Sequence, residues 1–299
     1  MSVNLMPYLL QMGPSMYDKR DWKAKNFVSH KLFPKKLDLR PRLTPVRDQG
    51  NQGSCAAQTA ACMKEFQEFF DNQIKDYFSP QFVYDNRKNQ DSQGMTCRDV
   101  MKILKEKGCP LEKSYPYNLV SNPKNIPNNV YDEASKFTIK SYARIFEIDD
   151  LKKSLAHNGP CLIAFPVFNY GPNMWIPTKP RQAMKGGHAM TVVGYNENSF
   201  IIRNSWGEEW GDNGYCYYNF LDWESHFDCW TTVDNLYKIN TDTTDNDTDN
   251  DTDNDTTDND TDNDTDNDTD NDTDNDTDND TDNDTETNCL KLLLKVLFK

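Results

Sequence analysis

The sequence predicts an α+β fold in which a helical half precedes a β half and a long acidic tail follows. Apolar residues recur at helical spacing up to about residue 127, whereas short alternating runs dominate after residue 136. The span from Pro34 to Asn240 holds about 200 residues, enough for two subdomains around a cleft. We therefore expect a helical half over about 34–135 and a β half over about 136–240.

The individual elements follow from these periodicities. A helix is predicted from Cys55 onward, because Ala60, Met63 and Phe70 recur at helical spacing. A second, amphipathic helix runs from Arg98 to Lys107 and ends at Gly108. Strands are predicted at residues 137–140, 161–168, 190–195, 200–203 and 214–218.

The eight cysteines are expected to be core thiols rather than disulfides. Most stand where an aliphatic side chain would fit, and nothing in the chain marks a secreted protein, in which disulfides are common. No Cys-x-x-Cys pair occurs and there are only four histidines, so we expect no zinc site and no other metal or cofactor. The positions are Cys55, Cys62, Cys97, Cys109, Cys161, Cys216, Cys229 and Cys289.

The net charge of −15 comes from the tail. Residues 241–286 carry 22 acidic and no basic side chains, whereas residues 1–240 carry 30 basic and 26 acidic ones. The folded part is thus close to neutral, and the low isoelectric point indicates nothing about its substrate. We expect no nucleic-acid partner, and we expect a monomer.

Two different segments make up the C-terminal region. From Asp245 to Thr285 the chain repeats Thr-Asp-Asn-Asp without an apolar residue, so 241–286 is predicted to be a disordered spacer, with loose calcium binding as an alternative. In 287–299, Lys291, Lys295 and Lys299 form a basic stripe on a predicted amphipathic helix. Either this segment docks weakly on a membrane surface or on a protein, or it is a C-terminal end without a selected function. It is too short to span a bilayer.

The N-terminal arm, residues 1–33, precedes the predicted domain. It has no positively charged start, and its short apolar run is broken by Pro7, so we expect no signal peptide. An intracellular or virion-packaged protein is then favoured over a secreted one. The arm is nevertheless rich in apolar residues, so it should cover part of the folded body. It is either a short pro-segment along the cleft or an ordinary arm packed elsewhere.

Three residues in separate contexts fit one nucleophilic mechanism. Cys55 opens the first predicted helix, His188 follows 133 residues later, and Asn204 lies 149 residues after Cys55. A thiol is a nucleophile only as the thiolate, which a helix N-terminus and a histidine both favour. His188 can then act as general acid toward a leaving amine. Each residue alone is also typical of a structural position, such as a buried thiol or a core histidine.

The motifs around these residues resemble the papain and cathepsin family of cysteine proteases. The separations fall in that family's window of about 130–150 residues. The matching motifs are Gln49-Gly50 before Cys55, Gly187-His188-Ala189, and Asn204-Ser205-Trp206-Gly207. The resemblance implies a papain-like two-subdomain fold, in which a helical left half presents the cysteine and a β-barrel-like right half presents the histidine and asparagine.

The same resemblance implies a role for each site residue. Cys55 is the expected nucleophile and His188 its acid–base partner. Asn204 would orient the imidazole, and Trp206 would cover that hydrogen bond. The Gln49 side chain and the Cys55 backbone N–H would donate to the oxyanion.

The chain departs from the family pattern beside the nucleophile. The usual signature is Cys-Gly-Ser/Ala-Cys-Trp/Tyr, whereas residues 52–56 read Gln-Gly-Ser-Cys-Ala. A half-cystine and an aromatic residue are therefore missing, and neither of them does chemistry. The pattern indicates the divergent, disulfide-poor branch of the family.

The expected function is hydrolysis of polypeptides by a cysteine endopeptidase through a thioester acyl-enzyme. Cathepsin-B-like exopeptidases use a loop that bears histidines, and no His-His pair occurs between Cys55 and His188. Two alternatives remain: a catalytically silent papain-like scaffold that binds peptides or partners, and acyl transfer or ligation by the same triad. The complete set of Gln49, Cys55, His188 and Asn204 argues against the scaffold, because a binding module does not need them together.

Overall fold

The structure, a computed structural model of the chain, describes residues 12–28, 30–118 and 125–233. The predictions for the acidic repeat (241–286) and the basic segment (287–299) fall outside these residues. The helices are α1 (Lys25–Val28), α2 (Cys55–Asn72), α3 (Pro80–Asp85), α4 (Cys97–Glu106), α5 (Asn128–Ala134) and α6 (Ile148–Asn158). The strands are β1 (Leu37–Asp38), β2 (Ser141–Arg144), β3 (Cys161–Val167), β4 (Gly186–Tyr195), β5 (Ser199–Arg203), β6 (Tyr215–Asn219) and β7 (Asp228–Val233).

The helix predicted from Cys55 is confirmed as α2, which runs for 18 residues. Its residues 55–68 are all buried, and the alanines at 56, 57, 60 and 61 are at most 1% exposed. Such small side chains let other elements pack close to the helix backbone. The helix contacts α3 and α4 as well as strand β4, so Cys55 at its first turn lies where the helical half meets the β half.

The strands of the β half form one seven-stranded antiparallel sheet with the order β2-β7-β3-β4-β5-β6, and β1 pairs with β4. Strand β4 lies between β3 and β5, with Phe165 opposite His188 and Arg203 opposite Thr191. Asn204 directly follows β5. The pairing of β4 with β5 therefore brings the predicted histidine and asparagine to neighbouring positions in the sheet.

Three features of the fold differ from the sequence predictions. The strand predicted at 137–140 is wrong: residues 135–137 form a helical turn and β2 begins at Ser141. The backbone N–H of Ile139 donates to the carbonyl of Leu104 in α4 at 3.2 Å instead of to a neighbouring strand. Helix α6 and strand β7 were not predicted. Leu37–Asp38 pairs with β4, although residues 34–135 were assigned to the helical half.

The prediction of free thiols is confirmed for the seven cysteines that the structure describes. All seven are buried and unpaired with one another, and Cys289 lies outside the described residues. Among the helices that the structure describes, none is long and apolar enough to cross a membrane. Because the described cysteines are unpaired, no disulfide stabilises the described part of the chain.

Candidate active site

Cys55 is the first residue of α2 and its side chain is buried, at 3% exposure. Its Sγ accepts a hydrogen bond from the backbone N–H of Ala189 at 3.4 Å. Ala189 is in β4, directly after His188. The thiol of the helical half thus contacts the residue next to the predicted histidine of the β half.

His188 and Asn204 form the hydrogen bond that the motifs predict. The Nε2 of His188 lies 2.7 Å from the Oδ1 of Asn204, and both side chains are buried. An amide oxygen can only accept, so Nε2 is the ring nitrogen that carries the proton. The Oδ1 of Asn204 also accepts from the backbone N–H of Ser205 at 2.7 Å, which fixes the amide. The Nδ1 of His188 has no hydrogen-bond partner among the described residues and is the basic nitrogen.

Aromatic rings pack around the hydrogen bond between His188 and Asn204. The ring of Trp206 lies 4.4 Å from the His188 ring between centroids, at an interplanar angle of 32°, and Trp206 is 3% exposed. Trp210 and Tyr170 pack against Trp206 at 5.6 and 5.9 Å. Water is excluded from the histidine–asparagine pair, which strengthens the hydrogen bond between them.

Gln49 is fully buried beside the same segment. Its Nε2 donates to the backbone carbonyl of Gln52 at 2.9 Å, and its Oε1 accepts from the Ser205 hydroxyl at 2.7 Å. A side-chain amide has two N–H groups, so this arrangement leaves one of them for another acceptor. Ser205 belongs to the Asn-Ser-Trp-Gly motif, but the sequence gives no signal for its contact with Gln49.

The N-terminal arm covers the site. The backbone N–H of Met12 donates to the carbonyl of Gly187 at 3.3 Å, and the Met12 side chain is 4% exposed in the same apolar cluster as Cys55. The backbone N–H of Ser15 donates to Asp228 Oδ2 at 2.7 Å. The described residues of the arm therefore contact β4 next to His188 and the start of β7.

Burial decides the protonation of the site in this covered conformation. Desolvation raises the pKa of the Cys55 thiol to about 11, and the hydrogen bond from the Ala189 N–H opposes it only in part. Desolvation also lowers the pKa of His188 to about 4, although the bond to Asn204 acts the other way. Both groups are therefore neutral near pH 7 in this buried state. The thiolate expected from the helix N-terminus requires access to water.

The described part of the chain contains no group of three or more His, Cys, Asp or Glu side chains placed to hold a metal ion. The chemistry available to the site is that of a thiol, an imidazole and amide donors. These groups suit nucleophilic attack on an acyl carbon with proton transfer by the imidazole.

Comparisons with known proteins agree with this chemistry. Residues 33–229 match the model of the papain family of cysteine proteases. An uncharacterized peptidase C1-like protein of Acanthamoeba polyphaga mimivirus is 30% identical over 233 residues, which cover 67% of this chain and 74% of that protein. Cysteine proteinase 3 of Entamoeba histolytica is 30% identical over 200 residues, which cover 62% of each protein.

Solved structures show the same similarity. Xylellain, a cysteine protease from Xylella fastidiosa, superposes with a TM-score of 0.64 at 28% identity, covering 75% of this chain and 96% of that one. The similarity therefore extends over both halves of the fold.

Proposed function

Because this chain belongs to the papain family of cysteine proteases, which are peptide hydrolases, we propose that it is a cysteine endopeptidase acting on polypeptides through a thioester acyl-enzyme. The observation that carries the proposal is the state of His188. Its Nε2 is held by Asn204, its Nδ1 is left as the base, and the next residue's N–H contacts the Cys55 thiol.

In the proposed mechanism the Cys55 thiol gives its proton to Nδ1 of His188, and the sulfur attacks the scissile carbonyl carbon. The tetrahedral intermediate collapses as the C–N bond breaks, and the amine leaves with the proton from Nδ1. Water then attacks the thioester with Nδ1 as base, which releases the acid and restores the thiol.

The oxyanion of each tetrahedral intermediate is assigned to two donors. One is the backbone N–H of Cys55 at the start of α2, where the first N–H groups of a helix have no partner within the helix. The other is the second side-chain N–H of Gln49, which the bonds to Gln52 and Ser205 hold in a fixed orientation. Asn204 and Trp206 act on His188 rather than on the substrate.

The histidines of the chain support an endopeptidase. Between Cys55 and His188 the sequence has only His157. In the structure His157 lies on α6, and its Nε2 is 2.6 Å from the carbonyl oxygen of Leu32. This ring nitrogen is therefore engaged with the N-terminal arm.

A silent scaffold is the second candidate, because Cys55 is buried and desolvation raises its pKa. Two assays distinguish an endopeptidase from a silent scaffold. One is hydrolysis of a library of fluorescence-quenched peptides, and the other is labelling of the thiol by a thiol-directed epoxide. We expect Cys55→Ala to lose both activities with its unfolding temperature kept, since Ala favours the helix. The matched control is Cys62→Ala, one free buried thiol for another in the same helix, which should keep both. Hydrolysis that survives in Cys55→Ala would refute the mechanism.

A further inference from the structure

The N-terminal arm is built in two parts that are held to the body in different ways. We name residues 12–17 the cleft segment and residues 22–28 the anchor segment. A turn at residues 18–21 joins them, closed by a hydrogen bond from the Asp21 N–H to the Asp18 carbonyl at 2.9 Å.

The anchor segment is part of the β half. Ala24 is 1% exposed and Val28 is fully buried, and Ala24 belongs to the apolar core formed by β2 to β7 and α6. Its backbone pairs with Arg144 at the end of β2: Ala24 N–H donates to the Arg144 carbonyl at 2.9 Å, and Arg144 N–H donates to the Trp22 carbonyl at 2.7 Å. Removing this segment would expose core surface and an edge of the sheet.

The turn is pinned to the helical half. The guanidinium of Arg98, at the start of α4, donates Nε–H to Asp21 Oδ1 at 3.0 Å and also donates to Asp21 Oδ2. Both side chains of this ion pair are little exposed, at 13% and 11%. A two-pronged, shielded pair of this kind is stronger than a single exposed ion pair.

The cleft segment is held mainly by hydrogen bonds, and Met12 is its one buried apolar side chain. Met12 and Ser15 point inward, whereas the Met16 and Tyr17 side chains are 82% and 64% exposed. Its hydrogen bonds are the 3.3 Å bond of Met12 to Gly187, those of Ser15 to Asp228 and Arg98, and that of the Met16 carbonyl to Arg98. Most use backbone groups that water or a peptide could replace. Asp228 keeps its ion pair with Arg144 at 2.5 Å when Ser15 leaves.

The fit at Met12 is also close enough to keep a substrate out. A Cβ added at Gly187 would lie 2.0 Å from the Met12 carbonyl oxygen, so the two backbones are in direct contact beside His188. No peptide can occupy this place while the cleft segment does.

Resting on the proposed function, we propose that the arm is a retained strap: the cleft segment moves off the site about the 18–21 turn, while the anchor segment stays in the active enzyme. Parts of a protein with few buried contacts open at lower free energy than its core. The cleft segment then competes with substrate from within the chain, and the fraction of open molecules scales the apparent affinity. Activation needs displacement of residues 12–17 and no cleavage after residue 28.

The first test compares two methionines of the arm in the full chain. Met12→Ala truncates the buried side chain, and we expect iodoacetamide to alkylate Cys55 about tenfold faster because the closed state is weakened. Met16→Ala changes an exposed side chain of the same type and should leave the alkylation rate unchanged. Equal rates in the wild type, Met12→Ala and a deletion of residues 1–17 would overturn the proposal. Alkylation reports access alone, so the outcome does not depend on whether peptides are hydrolysed.

The second test determines whether the active form of the protein retains residues 12–28. Protein labelled at Cys55 by a thiol-directed epoxide is analysed by intact mass, and the labelled molecules are expected to retain residues 12–28. Deletion of residues 1–17 should lower the unfolding temperature only slightly, by the free energy of closing, whereas deletion of residues 1–33 should lower it much further, because Ala24 and Val28 leave the core. Label found only on chains that begin after residue 28, or an unchanged unfolding temperature in the longer deletion, would show a removable pro-segment instead.

Discussion

At the scale of single residues, Asn204 decides which nitrogen of His188 is basic. Its Oδ1 can only accept, so the proton stays on Nε2 and Nδ1 is the free base. Trp206 lies against the imidazole and keeps water from this hydrogen bond. In the proposed mechanism His188 transfers protons, and Asn204 is a positioning residue that acts through it.

This difference predicts unequal losses at the two positions. His188→Ala removes the base, and kcat should fall by roughly 10⁴-fold. Asn204→Ala leaves the base in place but loosens the ring, and we expect a fall of roughly 10²-fold or less. Steady-state kinetics on a peptide substrate, with circular dichroism as a check of folding, measure both. Equal and negligible losses would favour the silent scaffold.

At the scale of elements, α2 and the loop before β3 fit together through Gly159. This residue has φ of 83° at the end of α6, and a Cβ there would lie 2.6 Å from two ring atoms of Phe66 in α2. Glycine meets both requirements, since it tolerates positive φ and leaves room for the ring. The contact holds the helix of the nucleophile close to the start of β3 in the sheet.

Gly159→Ala should therefore destabilise the fold by about 2–4 kcal/mol in denaturant unfolding, from backbone strain plus overlap with Phe66. Gly50→Ala is the matched control, because Gly50 also has positive φ, at 56°, but nothing lies within 4 Å of an added Cβ. It should cost only the strain, about 1 kcal/mol. Equal losses in the two variants would show that the contact with Phe66 is unimportant.

Some of these helices and strands could be predicted from the sequence, and others could not. The helices at Cys55 and Arg98 have clear periodicity and were predicted, as were the strands that became β3 to β6. Helix α6 carries Ile148, Leu151 and Leu155 at helical spacing, a signal that was present and missed. The position of the arm had no local signal, because Ser15 is held by Asp228, 213 residues away in the sequence.

At the scale of the whole molecule, two desolvated histidines link stability to pH. Burial lowers the pKa of His188 to about 4 from an ordinary value of 6.5, and that of His226 to about 4 as well. The unfolded chain then binds more protons than the folded one between these values. Stability is therefore fully present above pH 6.5 and is lost as the pH falls toward 4.

His188 alone should contribute roughly 3 kcal/mol to this loss, at about 1.4 kcal/mol per pH unit. Chemical denaturation at a series of pH values between 7 and 4 measures it. His188→Gln should reduce the dependence and leave the share that comes from His226. A stability that is constant from pH 7 to 4 in the wild type would show that His188 is not buried in solution.

In the proposed mechanism Cys55 forms a covalent acyl-enzyme, and this intermediate can be trapped. The protein is mixed with a slowly hydrolysed peptide ester, quenched in acid within milliseconds to seconds, digested and analysed by mass spectrometry. We expect an acyl group bound as a thioester to the peptide that contains Cys55, formed together with a burst of released alcohol. Turnover without an adduct at Cys55, or an acyl group on Cys62 instead, would contradict it.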